Sequence, residues 1–279
     1  MPKLAAIGKR IGRKVVPHGW RPQIRAFYNG VTAPLFAGDR FNCPCCERSF
    51  GRWRIYASEA AGDSSSMCPW CGALGRHRVD WLFLRDRTNI MRDPIRLLHV
   101  APEISLGRRF QTLANVDYLS ADYDSTLAME RMDIRDIPYP DESFDAVVCN
   151  HVLEHVDDDR RALREVHRVL QTGGWAMLQV PLDLSRTTFE DPTVTDPRER
   201  TRLFGQYDHV RIYGRDYDER LRRVGFEVET SWYAAEFPDV DIERMGLDRN
   251  ERVNLCWKRD AHGPDEPLPV RGDASTQHD

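Results

Sequence analysis

The sequence has few lysines and no long apolar run. Only four of its 279 residues are lysines, and 40 basic residues against 44 acidic ones give a net charge of −4. This balance excludes a global positive field that would attract nucleic acid. No run approaches the roughly 18 apolar residues of a membrane span, and no N-terminal segment has the pattern of a signal peptide. We therefore expect a cytoplasmic protein without a transmembrane segment.

The two ends of the chain differ in composition from its centre. Residues 1–40 carry basic side chains and no acidic one before Asp39. Such an extension can contact phosphates or anionic lipid, or it can be a solvated, partly ordered arm. Residues 260–279 are polar and lack periodicity, which predicts a disordered tail. The length between them suffices for one sizeable core and an accessory module.

Five of the seven cysteines lie close together in the first third of the chain. Cys43 and Cys46 form one CxxC pair, Cys68 and Cys71 form another, and 21 residues separate the pairs. Two such pairs can present four thiolates to one zinc ion and saturate it, so the predicted zinc is structural. A redox pair or thiols without metal are the alternatives. Cys45 could replace Cys43 or Cys46 as a ligand.

The segment around these cysteines predicts a small zinc ribbon over residues 41–75. FGRWRIYAS between the two pairs is typical of a strand, and EAAGDSSS is typical of a loop tip. From Gly72 to Arg87 the pattern becomes helical, so residues 76–94 are predicted to link the ribbon to the next domain.

Residues 144–180 predict a strand, a helix and a second strand in succession. FDAVVC is a short apolar run typical of a strand buried on both faces. Over residues 157–170 the apolar residues fall at helical spacing, and Thr172-Gly173-Gly174 is predicted to end the helix. An apolar strand from Trp175 to Val180 follows. This order predicts a right-handed parallel crossover unit.

The order of motifs in this region resembles that of a known family. D-x-x-x-I-P from Asp133, FDxVxxxxxLEH, RVLxxGG and an apolar strand ending in proline resemble class I S-adenosylmethionine-dependent methyltransferases of the type 11 kind, over roughly residues 95–235. The CxxC ribbon, an HxAPE turn and the GQxDHVRxYG segment from Gly205 to Gly214 further resemble a bacterial subgroup. The resemblance implies an α/β, Rossmann-like doubly wound, mostly parallel seven-stranded sheet in residues 95–259 that binds S-adenosylmethionine.

The largest departure from the family follows the first predicted strand, residues 95–100. Where the family has an acid-x-Gly-x-Gly turn, this chain has His99-Val100-Ala101-Pro102-Glu103. His99 and Glu103 could replace backbone contacts with side-chain contacts to the sulfonium or ammonium group of the cofactor, beside the small Ala101. Alternatively, binding has been lost and the domain is a scaffold. The intact remaining motifs favour retained binding.

The resemblance also implies residues that contact the ribose and the adenine. Asp122 ends the second predicted strand, residues 118–121, and matches the ribose-binding carboxylate, with Asp124 as an alternative. Asp133 and Ile134 match the pair that contacts the adenine. Because only ten residues separate Asp122 from Asp133, the helix between the second and third strands should be short.

The carboxyl end of the fourth strand predicts the rim of the site. Asn150 and His151 lie at this end, where ligands bind in open α/β sheets. Asn150 is assigned to the cofactor and His151 to the catalytic rim. His155, four residues further on, is predicted to pack or hydrogen bond and not to act as a base.

Residues 182–213 form an insertion long enough to act as a lid over the site. His209 is the best candidate for a general base within it. Arg211 and Tyr213 could bind an anionic or hydroxylated acceptor. Alternatively, Asp208, His209 and Arg211 form a hydrogen-bonded brace for the lid.

Three functions are compatible with these patterns. The first is O-methylation of a small molecule or a saccharide by in-line displacement. The second is methylation of ribosomal or other RNA with the ribbon contacting RNA, which the acidic net charge disfavours. The third is a non-catalytic scaffold that binds zinc and a nucleoside. The oligomeric state and the acceptor atom do not follow from the sequence.

Overall fold

The computed structural model describes residues 28–57, 64–125 and 127–259. The predictions for residues 1–27 of the basic extension and for the tail at 260–279 lie outside these residues. At the N-terminal side, two antiparallel ribbons precede a long helix, α1 (Gly75–Arg87). The ribbons pair β1 with β2 and β3 with β4, with bounds β1 Phe41–Cys43, β2 Arg48–Phe50, β3 Arg54–Ala57 and β4 Ser64–Met67.

A seven-stranded sheet and a small three-stranded sheet follow in the chain. The strands are β5 Ile95–Val100, β6 Val116–Asp122, β7 Glu130–Arg131, β8 Phe144–Asn150, β9 Leu170–Gln179, β10 Leu182–Asp183, β11 Phe189–Glu190, β12 Arg211–Gly214, β13 Phe226–Ser231 and β14 Val253–Lys258. The large sheet has the order β13-β14-β9-β8-β5-β6-β7, and the small one β10-β12-β11. In the large sheet β14 runs antiparallel to both of its neighbours, β13 and β9. All the other neighbouring strands pair in parallel.

Helices cover both faces of the large sheet. They are α2 Ile104–Gln111, α3 Asp159–Val169, α4 Pro197–Phe204, α5 Tyr217–Arg222 and α6 Asp239–Met245, with short 3₁₀ turns at Ala33–Phe36, Leu153–His155 and Tyr233–Glu236. In the part of the chain that the structure covers, none of the helices has the length and apolar character that crossing a bilayer demands.

The core consists of two apolar layers, one on each side of the sheet. Neighbouring residues of one strand point to opposite faces, and Leu97 and Leu98 of β5 accordingly belong to different layers. The first layer includes Trp81 of α1, and the second includes Leu163 and Val166 of α3. The predicted Rossmann-like, doubly wound and mostly parallel seven-stranded sheet is therefore confirmed.

The glycine pair after α3 does not end the helix as predicted. The helix ends at Val169, and Thr172-Gly173-Gly174 lie inside β9. Phe144 of β8 pairs with Leu170, but the next paired residue, Ala146, faces Trp175, so the intervening residues of β9 bulge out of the pairing. Gly173 has a φ of 81°, which glycine adopts without strain.

Two further predictions about local structure are corrected, and the structure of the insertion is defined. The expected short helix between β6 and β7 is absent from the described residues of that connection, which contains only turns and bends. The segment at 64–66, predicted as part of a loop tip, instead pairs with β3 as β4. The insertion at 182–213 contains α4 and the three-stranded sheet. It is a folded subdomain and not an open loop.

We expect Gly214→Ala to destabilise the protein by about 1 to 3 kcal/mol, the usual cost of overpacking. A Cβ at this position, which ends β12, would clash with backbone atoms of Arg186, Thr187 and Thr188, none of which can move independently of the chain. The free energy of unfolding in urea checks this. Gly30→Ala is the matched control, because no atom lies within 4 Å of its added Cβ. Equal stability of the two variants would contradict the packing at β12.

Candidate functional site

The register of the parallel strands brings three predicted site residues to one edge of the sheet. Val100 of β5 pairs with Ala121 of β6 on one side and with Cys149 of β8 on the other. The next residues along the three strands are Ala101, Asp122 and Asn150, which therefore lie in one row at the carboxyl ends. Ligands of open α/β sheets bind at this edge. We call this row and the turns after it the crevice.

The turn after β5 takes the backbone conformation that a glycine would normally supply. Ala101 has a φ of 49°, in the left-handed region that residues with a Cβ rarely adopt. Its N–H donates to the carbonyl of Ala121 at 2.8 Å, which holds the turn against β6. His151, at the end of β8, has a φ of 55°. Strain of this kind clusters at functional sites.

His99 and Glu103 form a buried pair below this turn. The Nε2 of His99 lies 2.7 Å from Oε2 of Glu103, and its Nδ1 lies 3.1 Å from the hydroxyl of Tyr118. Burial alone would raise the pKa of Glu103, but the hydrogen bond and the charge interaction with His99 outweigh it and lower the pKa to about 2. Burial raises the pKa of Tyr118 to about 12. Glu103 is thus a carboxylate at neutral pH, and His99 positions it.

Several buried polar atoms of the crevice have no hydrogen-bond partner among the residues that the structure describes. They are Oε1 of Glu103, both side-chain polar atoms of Asn150 and Nε2 of His151. Buried polar atoms are almost always hydrogen bonded, so a group of unpaired ones needs an explanation. Because these atoms lie at the strand ends where ligands bind, a polar ligand with a cationic group fits them.

The two acids predicted to bind the nucleoside are already engaged locally. Asp122 accepts hydrogen bonds at its Oδ1 from the backbone N–H groups of Asp124 and Ser125, at 2.7 and 2.6 Å. Asp133 binds Arg135 with both oxygens, at 2.7 Å for the shortest contact, and the hydrogen bonds with Arg135 lower the pKa of Asp133. Ile134 is buried. The nucleoside roles of these residues remain predictions.

Sequence reasoning missed an acidic pair that faces the same region. Asp80 of α1 is fully buried, and Nε2 of Gln179 lies 3.4 Å from its Oδ1 and 3.3 Å from Oε1 of Glu251. Burial raises the pKa of Asp80 well above its usual range and also raises that of Glu251. The available signal was a charged residue between Val79 and Trp81 on the apolar face of α1.

Arg211 and Tyr213 are buried within the insertion. Arg211 donates to the carbonyls of Leu153, Val156 and Asp157, and its Nε lies 2.8 Å from Oε2 of Glu190. These contacts fasten β12 to the turn after β8. Arg211 therefore acts as a brace of the insertion, but through these partners and not through Asp208 and His209 as the sequence alternative had it. An acceptor role for Arg211 remains a prediction.

The Tyr213 hydroxyl belongs to the same brace. It donates to Oδ2 of Asp159 at 2.6 Å, and Arg220 pairs with the same carboxylate at 2.7 Å. Burial raises the pKa of Tyr213 well above its usual range, so the hydroxyl remains a donor. The acceptor-binding role predicted for Tyr213 is untested, and all its described polar contacts are internal.

His209, the predicted base, lies beside Glu154 and His155. One ligand atom from each of the three side chains lies within 4.8 Å of the others. The rings of His155 and His209 meet edge to face, with centroids 4.7 Å apart. Burial lowers the pKa of His209. His151, the other catalytic candidate, places its Nδ1 3.6 Å from Oε1 of Glu154 and so connects this group to the crevice.

Four of the N-terminal cysteines converge as their spacing predicted. Cys43 and Cys71 place their sulfurs 3.7 Å apart, and so do Cys46 and Cys68. Cys45 points elsewhere, since its thiol lies 3.5 Å from the carbonyl of His77 and burial raises its pKa well above the usual range. The cluster of Cys43, Cys46, Cys68 and Cys71 is compatible with a small metal site, and Cys45 lies outside this group.

An open cleft of about 760 Å³ lies at the opposite edge of the sheet, where the parallel strands begin. Its charged side chains already pair with one another: Arg168 with Asp141 and Glu165, and Lys258 with Glu142. Glu142 of this cleft also has a positive φ, of 55°. None of the residues that line the cleft in the described structure has a buried polar atom without a partner, whereas the crevice has several, so the candidate site is placed in the crevice.

Comparison with known proteins gives a family for part of the chain. A family model described as a methyltransferase domain matches residues 106–178. The 27-O-demethylrifamycin SV methyltransferase of Amycolatopsis mediterranei is 28% identical over 134 residues, 46% of this chain and 46% of that protein. A probable S-adenosylmethionine-dependent methyltransferase of Mycolicibacterium smegmatis is 31% identical over 124 residues, 42% of this chain and 44% of that protein. The chain spans less than half the length of both.

Among solved structures, an S-adenosylmethionine-dependent methyltransferase from Mesorhizobium loti is similar, with 17% identity and a TM-score of 0.45. The match covers 64% of this chain and 96% of that one. The fold assignment rests on the strand order described above. The chain is thus similar to methyltransferases over part of its length, and the family model covers residues 106–178.

If Tyr213 is part of the brace, Tyr213→Phe should lower the free energy of unfolding by about 1 to 3 kcal/mol, because Asp159 loses a buried hydrogen bond. Urea denaturation measures this. Tyr207→Phe, whose side chain is 61% exposed in the same segment, should change stability by no more than about 0.5 kcal/mol. A Tyr213→Phe variant of unchanged stability would argue against the brace and for a role in acceptor binding.

Proposed function

We propose that this protein is an S-adenosylmethionine-dependent methyltransferase that methylates a hydroxyl group of a small molecule or a saccharide. The observation that carries the proposal is the carboxylate of Glu103. Its Oε2 is bound by His99, its Oε1 is buried without a partner, and its pKa is lowered to about 2. An ionised, half-paired carboxylate at a strand end is suited to a cation.

The cofactor carries two cationic groups, a sulfonium and an ammonium, and either could meet Glu103. Ala101 keeps the turn in a left-handed conformation, so the backbone can approach a ligand closely without the usual glycines. Asn150 offers both an unpaired donor and an unpaired acceptor beside it. These features support retained binding over a scaffold that has lost it.

The nucleoside would extend from this turn along the edge of the sheet. We assign its ribose to Asp122, which ends β6 in the same row as Ala101, and its adenine to Asp133 and Ile134 beyond β7. Met132 donates its N–H to the carbonyl of Asp122 at 2.9 Å, which keeps the two segments adjacent. Arg135 would have to share the Asp133 carboxylate with the adenine amine.

When bound, the cofactor supplies a methyl group on a positively charged sulfur. The protein contributes alignment of the two reactants and a pocket that excludes water. The imidazoles of His155 and His209 and the carboxylate of Glu154 lie next to His151, on the insertion side of the crevice. Groups that accept protons or bind cations suit a hydroxyl acceptor. The name of the Amycolatopsis relative, an O-methyltransferase of a small molecule, agrees with this class.

We further propose that residues 41–75 form a ribbon around a structural Zn²⁺ ion held by Cys43, Cys46, Cys68 and Cys71. Sulfurs at the corners of a tetrahedron with Zn–S bonds of about 2.3 Å lie about 3.8 Å apart. Two of the sulfur pairs lie 3.7 Å apart, close to that edge length. Four thiolates leave no open position, so the ion would stabilise the fold without taking part in the reaction.

Glu103→Gln should weaken the binding of S-adenosylmethionine by about tenfold to a hundredfold, because a neutral amide replaces one partner of a charge-assisted contact. Calorimetric titration with the cofactor and with its demethylated product measures this. If Glu103 meets the sulfonium, the variant loses more affinity for the cofactor than for the product, whose sulfur is uncharged. If it meets the ammonium, both ligands lose equally.

Asp117→Asn is the matched control for this titration. Asp117 lies on the same sheet, near the start of β6, with a side chain that is 80% exposed. Its variant should bind both ligands as the wild type does. If the wild type itself shows no heat of binding at millimolar concentrations of either ligand, the methyltransferase proposal is wrong.

The zinc proposal predicts one Zn²⁺ per chain in the purified protein. Cys46→Ser should lose the ion and lower the thermal midpoint, because structural zinc contributes directly to folding. Cys45→Ser, at the adjacent position, should retain it, since the Cys45 thiol faces the carbonyl of His77. Elemental analysis after dialysis measures the metal content. Loss of zinc from Cys45→Ser but not from Cys46→Ser would reverse the assignment.

A further inference from the structure

Two segments distant in sequence bring three side chains that can bind a metal ion together. Glu154 and His155 lie on the 3₁₀ turn after β8, and His209 lies just before β12 in the insertion. The backbone N–H of Val210 donates to the carbonyl of Glu154 at 2.9 Å, which fixes the two segments against each other. One ligand atom from each side chain lies within 4.8 Å of the others.

Both imidazoles of this cluster have an outer partner on one ring nitrogen. The Nδ1 of His209 lies 3.0 Å from the carbonyl oxygen of Phe204, to which it can donate, leaving Nε2 with a free lone pair. The Nδ1 of His155 lies 3.4 Å from Oδ2 of Asp208. Histidines that bind metal ions almost always hold one nitrogen in this way, against a backbone carbonyl or a carboxylate.

The carboxylate of Glu154 lacks the partners that its burial requires. Only 2% of its side chain is exposed, and Oε2 has no hydrogen-bond partner in the described residues. Its Oε1 lies 3.6 Å from Nδ1 of His151, beyond ordinary hydrogen-bond distance. Burying a carboxylate is costly unless a cation or several donors compensate it. A metal ion would provide that compensation.

We propose that Glu154, His155 and His209 bind one divalent first-row transition-metal ion, distinct from the zinc of the ribbon. Two imidazoles and one carboxylate suit ions such as Zn²⁺, Fe²⁺ or Co²⁺ and are unsuited to Mg²⁺, which prefers oxygen ligands throughout. Three protein ligands leave at least one position open, as in catalytic and not structural sites.

The open position gives the site a role in the proposed function, on which this part of the inference rests. His151 connects the cluster to Asn150 and the crevice, so the ion would lie on the acceptor side of the cofactor. An acceptor hydroxyl that binds the ion has its pKa lowered, and its proton leaves to solvent. The ion then replaces the base role predicted for His209, because a nitrogen bound to metal accepts no proton.

The test is a calorimetric and absorption titration of Co²⁺ into the full chain with its four-cysteine site already loaded with zinc. The wild type should bind one Co²⁺ per chain, without the intense thiolate absorption that exchange into the ribbon would produce. Glu154→Gln and His209→Gln should each weaken binding by more than about tenfold, and Asp208→Asn, which removes an outer partner, by about tenfold. His167→Gln, a histidine of α3 outside the cluster, should bind as the wild type does.

The inference is overturned if the wild type takes up no Co²⁺, if uptake occurs only with thiolate absorption, or if Glu154→Gln binds as tightly as the wild type. Near-ultraviolet circular dichroism establishes that each variant is folded. Titration with S-adenosylmethionine without added Co²⁺ separates this inference from the proposed function. Co²⁺ binding without cofactor binding would support the metal site and contradict the methyltransferase proposal. Cofactor binding without Co²⁺ binding would support the methyltransferase proposal and contradict the metal site.

Discussion

The parallel register of β5, β6 and β8 is the constraint on which the candidate site depends. Because Val100 pairs with both Ala121 and Cys149, the three strands end at the same level of the sheet. The residue that follows each of them therefore lies at a common edge. A shift of one residue in any strand would turn its side chains to the opposite face. The core layers prevent such a shift, since Leu97 and Leu98 each require their own side of the sheet. Packing thus positions the polar atoms of the crevice.

The N-terminal module is joined to this sheet by a buried arginine. Arg78 of α1 is fully buried and donates to the carbonyls of Ala73, Ser66 and Gly246, while its guanidinium lies 4.4 Å from the centre of the Trp53 ring. One side chain thereby connects the β3-β4 ribbon, Trp53 between the two ribbons, α1 and the turn after α6. The same helix buries Asp80 and His77 towards the crevice. Folding of the cysteine module and shaping of the crevice are therefore coupled through α1.

The sequence predicted the regular parts of the fold well and the irregular parts poorly. The bounds of β5 match the predicted residues 95–100, because a mostly apolar run defines a strand buried on both faces. The position of Thr172-Gly173-Gly174 within β9 did not follow, because a bulge depends on the partner strand. The left-handed conformation of Ala101 could not be predicted either, because an alanine in a sequence does not indicate a positive φ. Asp80 and Glu154 could not be recognised as site candidates, because the sequence does not show which distant segments meet in the fold.

The brace in the insertion accounts for the many buried polar contacts that lie outside the crevice. Arg211 donates to three carbonyls on either side of Glu154 and His155, and Val210 donates its N–H to a fourth, that of Glu154. His209 directly precedes Val210 and Arg211. The brace therefore fixes the position of His209 relative to the turn after β8. Side chains that must share one ligand need such precision, and long polar residues on mobile loops cannot supply it. Burial of Arg211 is therefore a cost that holds the insertion against the turn after β8 and so positions His209 beside Glu154 and His155.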